Sequence, residues 1–332
     1  MPDNSDTPLD QLTLRQMQAR WNELVPQAQA MGVRRVKLLN APLETKLYRL
    51  TRLQWLISQI GTYDAILDYW SFGPEIECTL PRAWSFSRLA DQISTTGVDC
   101  RTGGGHSTRT WWKVVWEHTG VEVVGPKLKG KSGLDDVAKV TKCLTDLGCR
   151  VNVNCGFHVH VGVEDQYRSG DVDFFKRLIR LYAEAEDIID SFMAPSRRLE
   201  SARGFARSLK RRVNWQALER AQFIDEVVRA IGQRPGRANY RERTRYCKLN
   251  LQALYGEHGC TVEFRQHQGS VEGSKIINWI KFLLRMCMAA RDPSPKNVAS
   301  FDALAESLRL SQHEKDFFAG RITEFRQREG RE

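Results

Sequence analysis

The sequence predicts an α+β fold built on a mainly antiparallel sheet. Two observations carry this. Candidate strands are joined by turns as often as by helices, whereas a doubly wound sheet would alternate the two throughout. Apolar residues also recur at both strand and helix periods within the 332 residues. With 41% hydrophobic residues, a chain of this length can bury a large core.

The elements follow in order. Leu9, Leu12, Leu14, Met17 and Trp21 predict a helix over 8–31, and Leu47, Leu50, Leu53, Leu56, Ile57 and Ile60 another over 44–60, stopped by Gly61. Together they make an N-terminal helical extension, residues 1–69. A strand runs from Trp70 to Leu80 and ends at Pro81. A loop rich in Ser, Thr and Gly then extends to Gly105; with no helix or GK[ST] behind it, it is no phosphate cradle. Strands follow at 111–117 and 120–124, broken by Gly125 and Pro126. Ser132 caps a helix over 133–147 that Gly148 stops, and a strand covers 150–163. Phe175, Leu178, Ile179, Tyr182, Ala185, Ile188, Ile189 and Phe192 repeat at three and four, giving a helix over 172–193. Next come a helix over 215–231, a loop at 232–239 and strands at 246–253 and 260–267 around a turn at 256–259. A long helix at 274–291 ends the 70–292 domain, and 293–332 forms a helical tail.

Charge is concentrated in one stretch. Residues 197–248 hold fifteen Lys/Arg against five Asp/Glu, a surplus equal to the formal +10 of the whole chain. Such a block suits an anionic ligand such as nucleotide phosphate, a carboxylate or nucleic acid. Helix-turn-helix and zinc-finger spacings are absent, so nucleic acid is the alternative partner and not the expected one. No run approaches eighteen apolar residues and the N-terminus is polar and acidic, so neither a membrane span nor an export signal is expected. The eight cysteines include no C-x-x-C pair and are expected to be reduced in a cytoplasmic protein.

Side chains two apart on a strand share a face. On that rule Glu75 and Glu77 project together around Ile76, His158 and His160 around Val159, and Glu263 and Arg265 around Phe264. Glu122 stands between Val121 and Val123. Gathered on one sheet, these acids would need cations; oxygen-rich donors with an imidazole suit Mg2+ or Mn2+. A Cys155–His158 nucleophilic pair is disfavoured, because residues three apart on a strand point to opposite faces. A metal-dependent phosphodiester hydrolase using the same carboxylates is a further alternative.

The segment FGPEIECTL resembles the first metal-binding strand of glutamine synthetases, CGFHVHVG their His-x-His strand, and TVEFRQHQGS their later Glu-x-Arg strand. The match is closer still to the amidoligase family, carboxylate–amine ligases that share the fold of glutamine synthetase and glutamate–cysteine ligase. EVVGPKL at 122–128, PSRR at 195–198 and RYCKLNL at 245–251 complete the pattern across residues 70–290. The resemblance implies a curved sheet of the glutamine synthetase catalytic type. It implies that Glu75, Glu77, Glu122, His158 and Glu263 hold divalent metals, and that His160, Arg265, Lys248 and Asn250 bind ATP. Arg265, Arg197 and Arg198 would then be catalytic, beside phosphate or substrate carboxylate. The expected reaction joins a carboxylate to an amine of a small molecule, peptide or protein tail through an acyl phosphate. One departure lies after the W-K-V-V strand, where the acidic residue available is Glu117.

Overall fold

The computed structural model describes residues 12–30, 50, 54, 64–82, 84–103, 109–198, 204, 206–236, 243–256 and 259–330. The chain divides into two units, 1–65 and 66–332. In the first, helix α1 (Leu14–Ala30) buries Met17, Trp21 and Leu24 along one stripe, and Thr13 Oγ1 accepts from Gln16 N at 3.3 Å where it begins. The helix expected over 44–60 lies outside the described residues except at 50 and 54.

In the second unit, strands β1 (Ser71–Cys78), β2 (Cys100–Thr102), β3 (Trp112–Glu117), β4 (Gly120–Val124), β5 (Leu128–Lys129), β6 (Gly156–Gly162), β7 (Leu249–Asn250) and β8 (Thr261–Gln268) form one open sheet. Its order is β2-β3-β4-β1-β6-β8-β7, with β5 beside β1. Among these described strands, only β2 and β3 pair in parallel. The helices of this unit are α2 (Phe86–Ser94), α3 (Gly130–Asp146), α4 (Glu164–Arg168), α5 (Val172–Ser191), α6 (Trp215–Arg220), α7 (Ile224–Ala230), α8 (Gly273–Arg291), α9 (Phe301–Ser307) and α10 (Gln312–Glu329).

The sheet sends its apolar side chains one way. Phe72, Ile76, Val123, Phe157, Val159 and Phe264 are at most 1% exposed, and helices α3, α5 and α8 pack together over that side. Tyr182 of α5 reaches the ring of Phe264 at 5.6 Å. The tail joins the same core: Phe318 of α10 lies 4.8 Å from Phe192 and 5.2 Å from Phe282. Glu314, fully buried, pairs with Arg285 at 3.0 Å and faces Lys281 at 3.7 Å, so its charge is compensated where water cannot reach.

Several expected boundaries shift. The loop expected before Gly105 contains α2 and β2, because Ser85 Oγ caps Arg88 N at 3.2 Å and Leu89, Ala90 and Ile93 are buried. Helix α3 starts at Gly130, before Ser132, which instead bonds the Lys129 carbonyl. The helix expected over 215–231 is two helices. Glu226 accepts from Gln222 N at 2.6 Å and Phe223 N at 3.2 Å, which restarts the helix after an extended break. The strand expected over 246–253 keeps only its centre, because 252–255 turns into a 3-10 helix.

The β6–β8 ladder contains a bulge. Phe157 faces His267 and Val159 faces Phe264, so β8 places one extra residue here. Strict alternation would put His267 beside Glu263 and Arg265. The extra residue turns it to the helix side, 5.6 Å from Phe157 and 5.6 Å from Trp279. Burial pulls its pKa from 6.5 down to about 3. The folded chain thus keeps it neutral while the unfolded chain takes up a proton below pH 6.5, so stability is lost as pH falls towards 3. Between pH 6.5 and 5 this group should cost about 2 kcal/mol. Urea unfolding at pH 7, 6 and 5 checks it: the decline should be shallower in His267→Gln, and equal slopes would refute the assignment.

Candidate functional site

Strands β4, β1, β6 and β8 are consecutive neighbours, and their register stacks the polar residues. Glu77 pairs with Glu122, Glu75 with His158, and His160 with Glu263. Directly opposed residues have Cβ atoms about 5 Å apart, within mutual reach of carboxylates and imidazoles. Because Ile76, Val123, Phe157 and Val159 fill the helix side, parity leaves these six side chains on the opposite face.

Distances show how closely they converge. Glu75 reaches His158 Nδ1 at 3.5 Å through Oε2 and His160 Nε2 at 3.4 Å through Oε1. Glu77 lies 3.8 Å from His158 Nε2, and Glu263 lies 3.8 Å from His158 Nδ1 and 4.0 Å from His160 Nε2. Two triads, Glu75–His160–Glu263 and Glu75–Glu122–His158, each place three donor atoms within 4.8 Å of one another. Glu75 belongs to both. Carboxylates with a single imidazole match divalent cations of the Mg2+ or Mn2+ type. Outer partners orient the carboxylates: Asn250 Nδ2 donates to Glu263 Oε2 at 2.7 Å, and Glu77 Oε2 accepts from Gly156 N at 2.9 Å and Thr119 Oγ1 at 3.3 Å. Arg265 forms a close ion pair with Glu263.

The electrostatics are polarised. Burial alone would raise the Glu75 pKa, but His160 and His158 outweigh it and hold the carboxyl well below its usual range. Glu263 falls to about 2, burial being overcome first by Arg265 and then by the imidazoles. Glu122 goes the other way, pushed well above the usual value by burial and by Glu75, Glu77 and Glu117.

Not every expected residue joins the cluster. Arg197, 4% exposed, donates from Nη2 to the Asn154 and Cys155 carbonyls at 3.2 and 2.7 Å, bracing the turn that enters β6. Arg198, one residue on, leaves the site: it bonds the Met193 carbonyl, pairs with Glu329 and lies over Phe325. Lys248 is also elsewhere. Its ammonium, 0% exposed, bonds Glu186 at 3.0 Å and Asp190 at 2.5 Å on α5, within the core. It precedes a strand of only two residues, so alternation does not carry it to the face of Asn250.

Sequence reasoning missed Lys113. It shares the parity of Glu117 on β3, next to the strand of Glu122, and that parity was the available signal. Lys113 is 2% exposed; burial lowers its pKa, against the pull of Glu75 and Glu122. It also lines a cleft of about 380 Å³ beside Glu75 and His160.

The second unit is thus an open α+β sheet with helices on its apolar face and an acid–imidazole cluster on the other. A family model described as "Putative amidoligase enzyme" matches residues 90–287, and the chain belongs to this amidoligase family. The match covers β6, β8 and Glu122 but not Glu75 and Glu77, which β1 supplies from outside it. No curated protein matches the chain. No helix among the described residues is long and apolar enough to cross a membrane.

Proposed function

We propose that this chain is an ATP-dependent carboxylate–amine ligase of the cytoplasm, built on a glutamine synthetase-like curved sheet and working through an acyl phosphate. One observation carries the proposal: six acid and imidazole side chains from four adjacent strands meet on one face, with Glu75 common to two metal-sized triads. Amide formation in water is uphill, so the carboxylate needs activation, and phosphoryl transfer needs positioning and charge neutralisation more than a protein nucleophile.

Glu75, Glu122 and His158 would hold one divalent ion, and Glu75, His160 and Glu263 the other; Glu77 steadies His158 from the far side. Bound Mg2+ or Mn2+ neutralises charge on the transferring phosphoryl group. Arg265, raised in pKa by Glu263 and Glu75 against the opposing effect of burial, stays cationic throughout and faces the same charge. Arg197 holds the β6 entry turn, so its effect on substrate is by position.

The test is ADP release with Mg2+ or Mn2+ and a metabolite extract, with the ligated product identified by mass spectrometry. Turnover should need metal, ATP and both co-substrates. Cleavage of nucleic acid without ATP would replace this proposal with the hydrolase. Tight, steeply salt-dependent duplex binding that is indifferent to Glu263→Ala would replace it with a nucleic-acid binder.

A further inference from the structure

Register puts Lys113 in one row with the candidate triads. Lys113 of β3 opposes Val124 of β4, Val124 opposes Glu75 of β1, and Glu75 opposes His158 of β6. Val115, two residues on, opposes Glu122, so Lys113 shares the polar face with that carboxylate. Only Val124 stands between Lys113 and Glu75 in the row. The ammonium is attracted by Glu75 and Glu122 and repelled by Arg109, as its place on that face requires. Lys113 is 2% exposed, and together with Arg109, Glu75 and His160 it lines the cleft of about 380 Å³.

Charge decides what this cleft takes. Two divalent ions on the triads would by themselves match the four carboxylates of the cluster, Glu75, Glu77, Glu122 and Glu263. Arg265 and Lys113 are then surplus positive charge, and a buried ammonium without a counter-charge is costly. Arg265 is on β8 and Lys113 on β3, so the surplus stands on both flanks of the three strands between them. An anion lying along the face answers both. A carboxylate brings one negative charge, whereas a polyphosphate brings several, and Arg109 beside Lys113 offers a further cation to it.

We propose that Lys113 binds the polyphosphate of the nucleotide, next to the ion held by Glu75, Glu122 and His158. This assignment rests on the ATP-dependent function proposed above.

Calorimetric titration with Mn2+ alone, and with ATP or inorganic tripolyphosphate in excess Mn2+, tests it. The intact protein should bind both phosphate ligands. Lys113→Met should weaken each by about tenfold or more, the loss of one charge-assisted hydrogen bond. Mn2+ alone should bind this variant at least as tightly as the intact protein, because a cation has gone from beside two of its ligands. Lys113→Arg, which keeps the charge, should stay closer to the intact protein than Lys113→Met does. A crystal structure of the intact protein with Mn2+ and a non-hydrolysable ATP analogue needs no variant to fold, and should show a phosphate oxygen within about 3.2 Å of Lys113 Nζ. If the intact protein binds neither ATP nor tripolyphosphate, the proposed function falls and this assignment with it. If it binds them but Lys113→Met binds them as tightly, or loses Mn2+ by the same factor, or the phosphates lie out of reach of Lys113, the assignment falls while the function stands.

Discussion

Alanine at position 75 should eliminate Mn2+ binding and with it ATP turnover, a larger effect than any other single change on the polar face. Glu75 is the one carboxylate in both candidate triads, so its loss removes a donor from each at once. Outer-shell partners of metal sites alone are worth about 10–100-fold, so the loss of a shared ligand should lower turnover by more than about 10²-fold. Asn250→Ala, which removes the 2.7 Å bond to Glu263, should fall inside that smaller range. Thermal denaturation gives a second readout. The intact protein should gain about 2.7 kcal/mol at a Mn2+ concentration 100 times its dissociation constant, and Glu75→Ala should gain nothing. The Glu75 side chain is 20% exposed at the edge of the cleft, so the variant should fold. A Glu75→Ala protein that kept both the metal-induced stabilisation and turnover would overturn the two-triad arrangement.

The part of this site that alternation could reveal was legible. Glu75, Glu77, His158, His160, Glu263 and Arg265 each stand two residues from a companion with one apolar residue between, and neighbouring strands bring the pairs into line. Alternation fails where the backbone departs from regular pleating. The β8 bulge sends His267 to the helix side, and the bend before β7 sends Lys248 into the core. Arg197 and Arg198 part because a 3-10 turn places one against the β6 entry and the other against α10. Burial of charge is equally silent in sequence. Lys281, Arg285 and Glu314 have the composition of a solvated helix face, yet each is at most 2% exposed, because α10 closes over α8.

Lys248 separates a role in the fold from a role in catalysis. As a nucleotide ligand, its replacement would raise the KM for ATP and leave stability alone. Its actual partners predict the reverse. Lys248 neutralises Glu186 and Asp190 where neither can be hydrated. Glu186 also accepts from the backbone N–H groups of Leu209 and Lys210 at 2.8 and 2.9 Å. Asp190 accepts from Gln266 at 2.5 Å, and Gln266 in turn accepts from the Tyr182 hydroxyl at 2.5 Å. The network ties α5, the basic segment and β8 together through one ammonium. Lys248→Met keeps most of the volume but strands two carboxylates, for which breaking a buried pair costs about 3–5 kcal/mol. For a unit of this size that lowers the melting temperature by roughly 10 °C. Adding Glu186→Gln and Asp190→Asn should recover much of the loss, since neutral amides leave no charge to compensate. The KM for ATP, measured well below the melting transition, should change by less than about twofold, because the ammonium lies on the helix side of the sheet. If Lys248→Met melted like the intact protein and lost ATP binding instead, the lysine would belong to the nucleotide site after all.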